Sequence, residues 1–112
     1  VKYGNKKTKV GDIVFDSKRE AERWSHLRLL ERAGHISELR RQVAYVLAPS
    51  VKFAGARAAK PAIKFIADFE YVENGARVVE DVKSKPTAKL PAFQIKRHLM
   101  KHLHGIDVRI TT

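Results

Sequence analysis

Asn74-Gly75 stands between two runs rich in β-branched and aromatic residues, Ala62 to Glu73 and Ala76 to Lys83, and it constrains the fold more than any other feature of the sequence. Asn-Gly supplies two successive residues that tolerate positive φ, which a two-residue hairpin turn requires. A turn of two residues fixes the register. Glu73 is then expected to face Ala76, Tyr71 to face Val78, and Asp68 to face Asp81. Residues paired across an antiparallel ladder have Cβ atoms roughly 5 Å apart, and like charges there repel. Such a pair is tolerated when a cation sits between the carboxylates. Lys83 shares the face of Asp81, because strand side chains alternate. Two carboxylates with a lysine at i+2 are the set a divalent-metal phosphodiesterase needs. The acids hold a hard cation, and the lysine serves the water or the charged phosphate.

The length of 112 residues fits one domain spanning 1–112, and a hydrophobic share of 44% is enough for one core. No apolar run approaches the roughly 20 residues that cross a membrane. Residues 1–10 read as a basic arm without the apolar centre of a secretory signal, so a cytoplasmic protein is expected. The absence of cysteine excludes disulfides and thiolate metal sites. The net charge of +11 favours a polyanionic partner through Coulomb attraction and counterion release. Charge alone does not separate an enzyme from a ribosomal-type binder. A close acid pair would be an odd feature in a groove that only binds phosphate.

Phe15 to Ala33 reads as a first helix, with Asp16 or Ser17 as N-cap and Gly34 as its stop. Ala21, Trp24, Leu27 and Leu30 form its apolar stripe, and Glu20 lies on that stripe. Ile36 to Leu39 and then Gln42 to Leu47 read as strand. Ala48 to Pro61, with two prolines and several small residues, reads as an exposed loop carrying Lys52, Arg57 and Lys60. The hairpin follows, and Ser84 to Pro91 is a connection. Ala92 to His104 reads as a second helix with Phe93, Ile95, Leu99 and Leu103 on its apolar side. Ile106 to Ile110 is a last short strand. The order is α-β-β-β-α-β, an α/β chain in which the second helix is a crossover within a mixed sheet.

This order and these residues resemble the PD-(D/E)xK nuclease superfamily. Asp68 matches its isolated aspartate, Asp81-Val82-Lys83 its (D/E)-x-K tripeptide, and Glu20 the additional helix acid of many members. More closely, the chain resembles a phage-encoded family of small nucleases related to Holliday-junction resolvases. The match is carried by Lys2-Tyr3-Gly4-Asn5-Lys6-Lys7-Thr8, Phe15-Asp16-Ser17-Lys18-Arg19-Glu20-Ala21, Gln42 and Ala67-Asp68-Phe69. It continues through Glu80-Asp81-Val82-Lys83, Ile95-Lys96-Arg97 and His104-Gly105-Ile106. The resemblance implies a restriction-endonuclease-like fold, a mixed four-stranded sheet flanked by helices. It also implies Mg²⁺-dependent cleavage of DNA, with Mn²⁺ as a substitute, and the backbone carbonyl of Val82 as an extra ligand. Ala67 stands where the superfamily motif has proline, a residue that is not a ligand. Of Glu80 and Asp81, only Asp81 shares a face with Lys83 and Asp68.

Glu20 has a competing role, since Ser17-x-x-Glu20 is a capping-box pattern. Lys83 could be no more than the charge partner of Asp81. Glu70 reads as a rim residue. Lys96 is the candidate auxiliary residue on the second helix, and Gln94, about 200° away around it, reads as solvated. His98 and His102 are spaced i, i+4 but lack the glutamate of a zinc helix, and with His104 they read as exposed or DNA-facing. The expected function is metal-dependent hydrolysis of duplex or branched DNA in phage recombination, replication or packaging, in the bacterial host cytoplasm. Asp68, Asp81 and Glu20 hold the metal and Lys83 acts on water or phosphate. Lys6, Lys7, Lys9, Lys18, Lys60, Lys85 and Arg97 hold flanking phosphates without reading sequence. A homodimer would suit a symmetric junction. The rivals are a non-catalytic basic binding module and a partner subunit of another phage enzyme.

Overall fold

The structure, a computed structural model, describes residues 6–112. It is an α/β arrangement in the order β1 (Thr8–Val10), β2 (Ile13–Phe15), α1 (Lys18–Arg32), β3 (Ile36–Ala48), β4 (Ile63–Glu73), β5 (Ala76–Val82), α2 (Lys85–Ala88), α3 (Pro91–His104) and β6 (Arg109–Thr111). Strands β3-β4-β5-β6 form a mixed four-stranded sheet in that spatial order. The first three are antiparallel neighbours, and β6 lies parallel to β5 after the α3 crossover. Among the described residues no helix is long and apolar enough to cross a membrane.

The Asn74-Gly75 turn behaves as its chemistry dictates. Both residues have positive φ, and the ladder runs Glu73–Ala76, Tyr71–Val78, Phe69–Glu80. The outer strand differs from the two short segments expected: β3 is one strand of 13 residues. Positive φ at Glu38 and Gln42 and a register shift between Ser37 and Arg40 let one strand carry the irregularity that read as a break.

The basic arm is also corrected. Residues 8–10 form a strand that pairs with β2 across a Gly11-Asp12 turn, in which Gly11 takes φ 59°. Residues 2–5 of the family match lie outside the described residues. The first helix starts at Lys18 rather than Phe15. Ser17 is its N-cap and accepts a bond from Glu20 N at 3.1 Å, while Phe15 belongs to β2.

Two apolar clusters hold the helices. Ala21, Trp24 and Leu27 of α1 pack with Phe15, Ile36, Phe69 and Tyr71, and the Trp24 ring stacks on Phe69. Phe93 and Met100 of α3 pack with Leu47, Phe65, Ala67, Val79 and Val108. The apolar side of α3 is therefore Phe93–Met100, two turns apart. Ile95 and Leu103, expected on it, are about half exposed. A period of 3.6 places position 95 well around the helix from 93 and 100. Gly105 ends α3 with φ 68°, and His104 Nε2 bonds Val46 O at 2.9 Å, pinning the helix end to β3.

Candidate metal and phosphate site

The paired ladder of β4 and β5 ends at Phe69–Glu80, and the next two residues are Asp68 and Asp81, as the turn register requires. Their side chains take over from the backbone. Asp68 N donates to Asp81 Oδ1 at 3.0 Å, and Val82 N donates to Asp68 Oδ2 at 2.8 Å. Each carboxylate thus grips the backbone of the opposite strand. Asp81 is only 1% exposed and Asp68 is half-buried. Lys83 Nζ lies 2.9 Å from Asp81 Oδ2 and 5.1 Å above the ring of Phe93, which fixes the ammonium between β5 and α3.

Glu20 joins from α1. Its backbone N–H is used in the cap, but its buried carboxylate turns to Gln42 Nε2 at 3.4 Å. Burial raises its pKa, as do Asp16 and Asp81, while Arg41 and Lys83 act in the opposite sense. The Asp68 carboxyl is pushed up to about 8 by burial, then by Asp81 and Glu20, against the lowering effect of the Val82 hydrogen bond. Three acids on three elements therefore share one electrostatic neighbourhood, with Lys83 and Arg41 beside them. Arg41, whose guanidinium lies 4.8 Å from the Phe15 ring centre, has no motif that would have singled it out.

Asp81 Oδ2 is buried and, despite the nearby ammonium, has no aligned hydrogen-bond donor. The cation that meets this oxygen in the structure is the Lys83 ammonium. Among the described residues, however, no three His, Asp or Glu side chains converge on one point that a metal could occupy. The donor set suits a hard, strongly hydrated ion such as Mg²⁺, which takes one or two carboxylates and keeps several waters.

Glu80 and Glu70 have different fates. Glu80 is fully buried, held by Arg23 at 2.6 and 2.9 Å and by Tyr71 OH at 2.5 Å. Burial pushes its carboxyl up, but the Arg23 and Tyr71 bonds outweigh that and hold it below the ordinary range. It anchors α1 to the sheet, whereas Asp81 turns to Asp68 and Lys83. Glu70 is not a rim residue. It is buried, bonded to Tyr45 OH and to Arg40 at 2.6 Å, with Arg77 at 3.7 Å. Two of these partners come from β3, whose register against β4 no turn discloses.

Lys96 is half-buried on α3 and makes no hydrogen bond or ion pair among the described residues. Gln94 is exposed and bonds Ala88 O at 2.7 Å. Lys6, Lys7, Lys9, Lys18, Lys60, Lys85 and Arg97 are all exposed. Ile66, two residues before Asp68 on the same face of β4, is 53% exposed, so one side of the site is open.

No curated protein and no solved structure matches the chain. A family model described as "Protein of unknown function (DUF1064)" matches residues 1–111, and the chain belongs to that family.

Proposed function

We propose that the chain is a divalent-metal-dependent nuclease of restriction-endonuclease-like fold that hydrolyses DNA phosphodiester bonds, preferring branched DNA, in phage DNA processing in the host cytoplasm. The observation that carries this reading is the Asp68–Asp81 pair at the end of the β4–β5 ladder, each carboxylate bonded to the opposite strand's backbone, with Lys83 Nζ 2.9 Å from Asp81 Oδ2. Asp68 and Asp81 would hold Mg²⁺ or Mn²⁺, with Glu20 and the Val82 carbonyl as further oxygen donors. The ion, when bound, polarises the scissile phosphate and lowers the pKa of a bound water.

The chain's own groups do the rest. Asp68 gives up its proton to become a ligand, which ties site assembly to pH. Lys83, steered by Phe93 and Asp81, presents its ammonium to a phosphoryl oxygen and offsets charge that develops there. Lys96 lies on α3, the helix that supplies the Phe93 floor of Lys83, and serves an auxiliary role. The exposed lysines and Arg97 hold flanking phosphates, and two copies would serve the two strands of a symmetric junction.

The absence of three converging acids among the described residues favours the second reading, a basic module that binds DNA without cutting it. Purified protein incubated with a four-way junction, a duplex and a single strand, with Mg²⁺, Mn²⁺ or EDTA, decides between them. Metal-dependent cleavage supports the nuclease. Binding without cleavage under every metal supports the module.

A further inference from the structure

We propose that the loop between β3 and β4 is a DNA-reading arm whose exposed Phe53 stacks on unpaired bases of the DNA bound at the acid pair. The proposal rests on the reading of the chain as a protein that acts on DNA, and it names the feature by which branched or tailed DNA would be told from plain duplex.

The arm is built, not merely irregular. Val51 and Lys60 pair as an antiparallel bridge, with Val51 N to Lys60 O at 3.2 Å and Lys60 N to Val51 O at 2.6 Å. Ser50 Oγ adds a third bond to Lys60 O at 2.6 Å. Beyond the bridge, Ala56 N donates to Phe53 O at 3.0 Å, and Gly55 takes φ 78°. Those are the marks of a type II turn from Phe53 to Ala56, with glycine where φ must be positive. The turn holds Phe53 out from the body of the molecule, and the residue is 63% exposed.

An exposed phenylalanine on a tied turn gains nothing from a phosphate backbone. Its neighbours say what it meets. Lys52, Arg57 and Lys60 are all exposed on the same arm, and there is no Asp or Glu from Val43 through Ala67. Cations with an aromatic ring among them, and no anion, are the pattern of a single-strand platform: the cations follow the backbone and the ring takes a base. An acidic-rimmed protein partner would suit the cations but would not require a protruding aromatic ring.

The arm's reach is set by the strands. Asp68 is five residues into β4 from Ile63, which pairs with Ala48, and Phe53 is five residues beyond Ala48. At about 3.4 Å per extended residue, ten residues and the step of roughly 5 Å between neighbouring strands place Phe53 no more than about 39 Å from the acid pair. That upper limit is close to one turn of duplex DNA, so a branch point at the arm and a cut at the acid pair fit one bound substrate.

The test compares wild type, Phe53→Ala and Phe53→Trp in EDTA. Each is titrated against a blunt duplex, the same duplex with a single-stranded tail, and the same duplex with an abasic tail. Wild type should prefer the base-bearing tail to the abasic one. Phe53→Ala should lose that preference, a drop of roughly five-fold or more in affinity for the tailed DNA, and Phe53→Trp should keep it. A tail carrying 5-iododeoxyuridine should photo-crosslink to Phe53, located by mass spectrometry. Equal binding of both tails by wild type, or an unaltered preference in Phe53→Ala, overturns the proposal and leaves a protein partner as the arm's occupant. Cleavage with Mg²⁺ is scored separately on the same DNAs. Cleavage without a Phe53-dependent preference removes the arm and keeps the nuclease. A Phe53-dependent preference without cleavage removes the nuclease and keeps the arm. Wild type that binds none of the DNAs overturns both.

Discussion

Replacing Asp68 by Asn should make the metal-free protein more stable at alkaline pH while abolishing cleavage. The substitution keeps the geometry, because an amide oxygen can accept from Val82 N as Asp68 Oδ2 does at 2.8 Å, and the bond to Asp81 Oδ1 takes only the backbone N–H of residue 68. It removes one charge of a close pair. Two unit charges roughly 5 Å apart at an effective dielectric constant near 20 repel by about 3 kcal/mol. The proton linkage sets the pH window. Asp68 titrates at about 8 in the folded chain against an ordinary value of 3.8. The folded state therefore holds the proton more tightly than the unfolded one. The stability that this proton contributes is complete below about pH 4 and is lost as pH rises through 8. Wild type should thus lose stability between about pH 4 and pH 8 relative to Asp68→Asn, with a gap of at least about 3 kcal/mol at the top, or a thermal midpoint difference of roughly 10 °C or more. The assay is thermal unfolding of both proteins in EDTA across that range, then with Mg²⁺. Metal should raise the wild-type midpoint and leave the variant where it was. Parallel pH profiles for the two proteins would refute the argument that Asp68 and Asp81 repel each other in the fold.

Lys83→Ala should reduce cleavage by orders of magnitude and leave most DNA affinity, since one charge among many contributes little; affinity titrated against salt should fall steeply in log–log form for both proteins. Glu20→Gln leaves the backbone bond to Ser17 intact and so should fold as wild type, but it should need more Mg²⁺ for the same cleavage rate. Superimposable Mg²⁺ titrations would make Glu20 a helix residue alone. Glu80→Ala should cost about 3–5 kcal/mol in urea unfolding, because it strips a buried partner from Arg23 and Tyr71; a loss below 1 kcal/mol would contradict the anchoring role given to that carboxylate.

The parts of this molecule that were legible in the sequence are those set by local chemistry. Asn74-Gly75 is a turn that admits one register, and that register alone brings Asp68 to Asp81. The Ala21–Trp24–Leu27 stripe is a helical period that burial follows, and it carries Glu20 inward. What was not legible depends on partners distant in sequence. Glu70 is buried because Arg40 and Tyr45 reach it from β3, across a long connection that fixes no register. Glu80 is buried because Arg23 on α1 meets it. Ile95 reads as apolar and inward-facing until Met100 and Phe93 define which side of α3 docks. Gln42 and Glu38 take positive φ within a strand, a local cost that tertiary pairing overrides and that no propensity would have suggested.

The parallel pairing of β5 with β6 has a consequence for the order in which the molecule assembles. The β4–β5 hairpin closes over two residues, whereas β6 meets β5 only after α3 has crossed over. Short closures form before long ones, because the entropy of the intervening chain must be lost first. The hairpin, and with it the Asp68–Asp81 pair, should therefore already be formed when the slower closure of β6 onto β5 takes place. Repulsion between the two carboxylates should then appear as slower folding at high pH, with the unfolding rate almost unaffected. A divalent ion held by the pair would offset the same repulsion while the chain folds, before any phosphate is met.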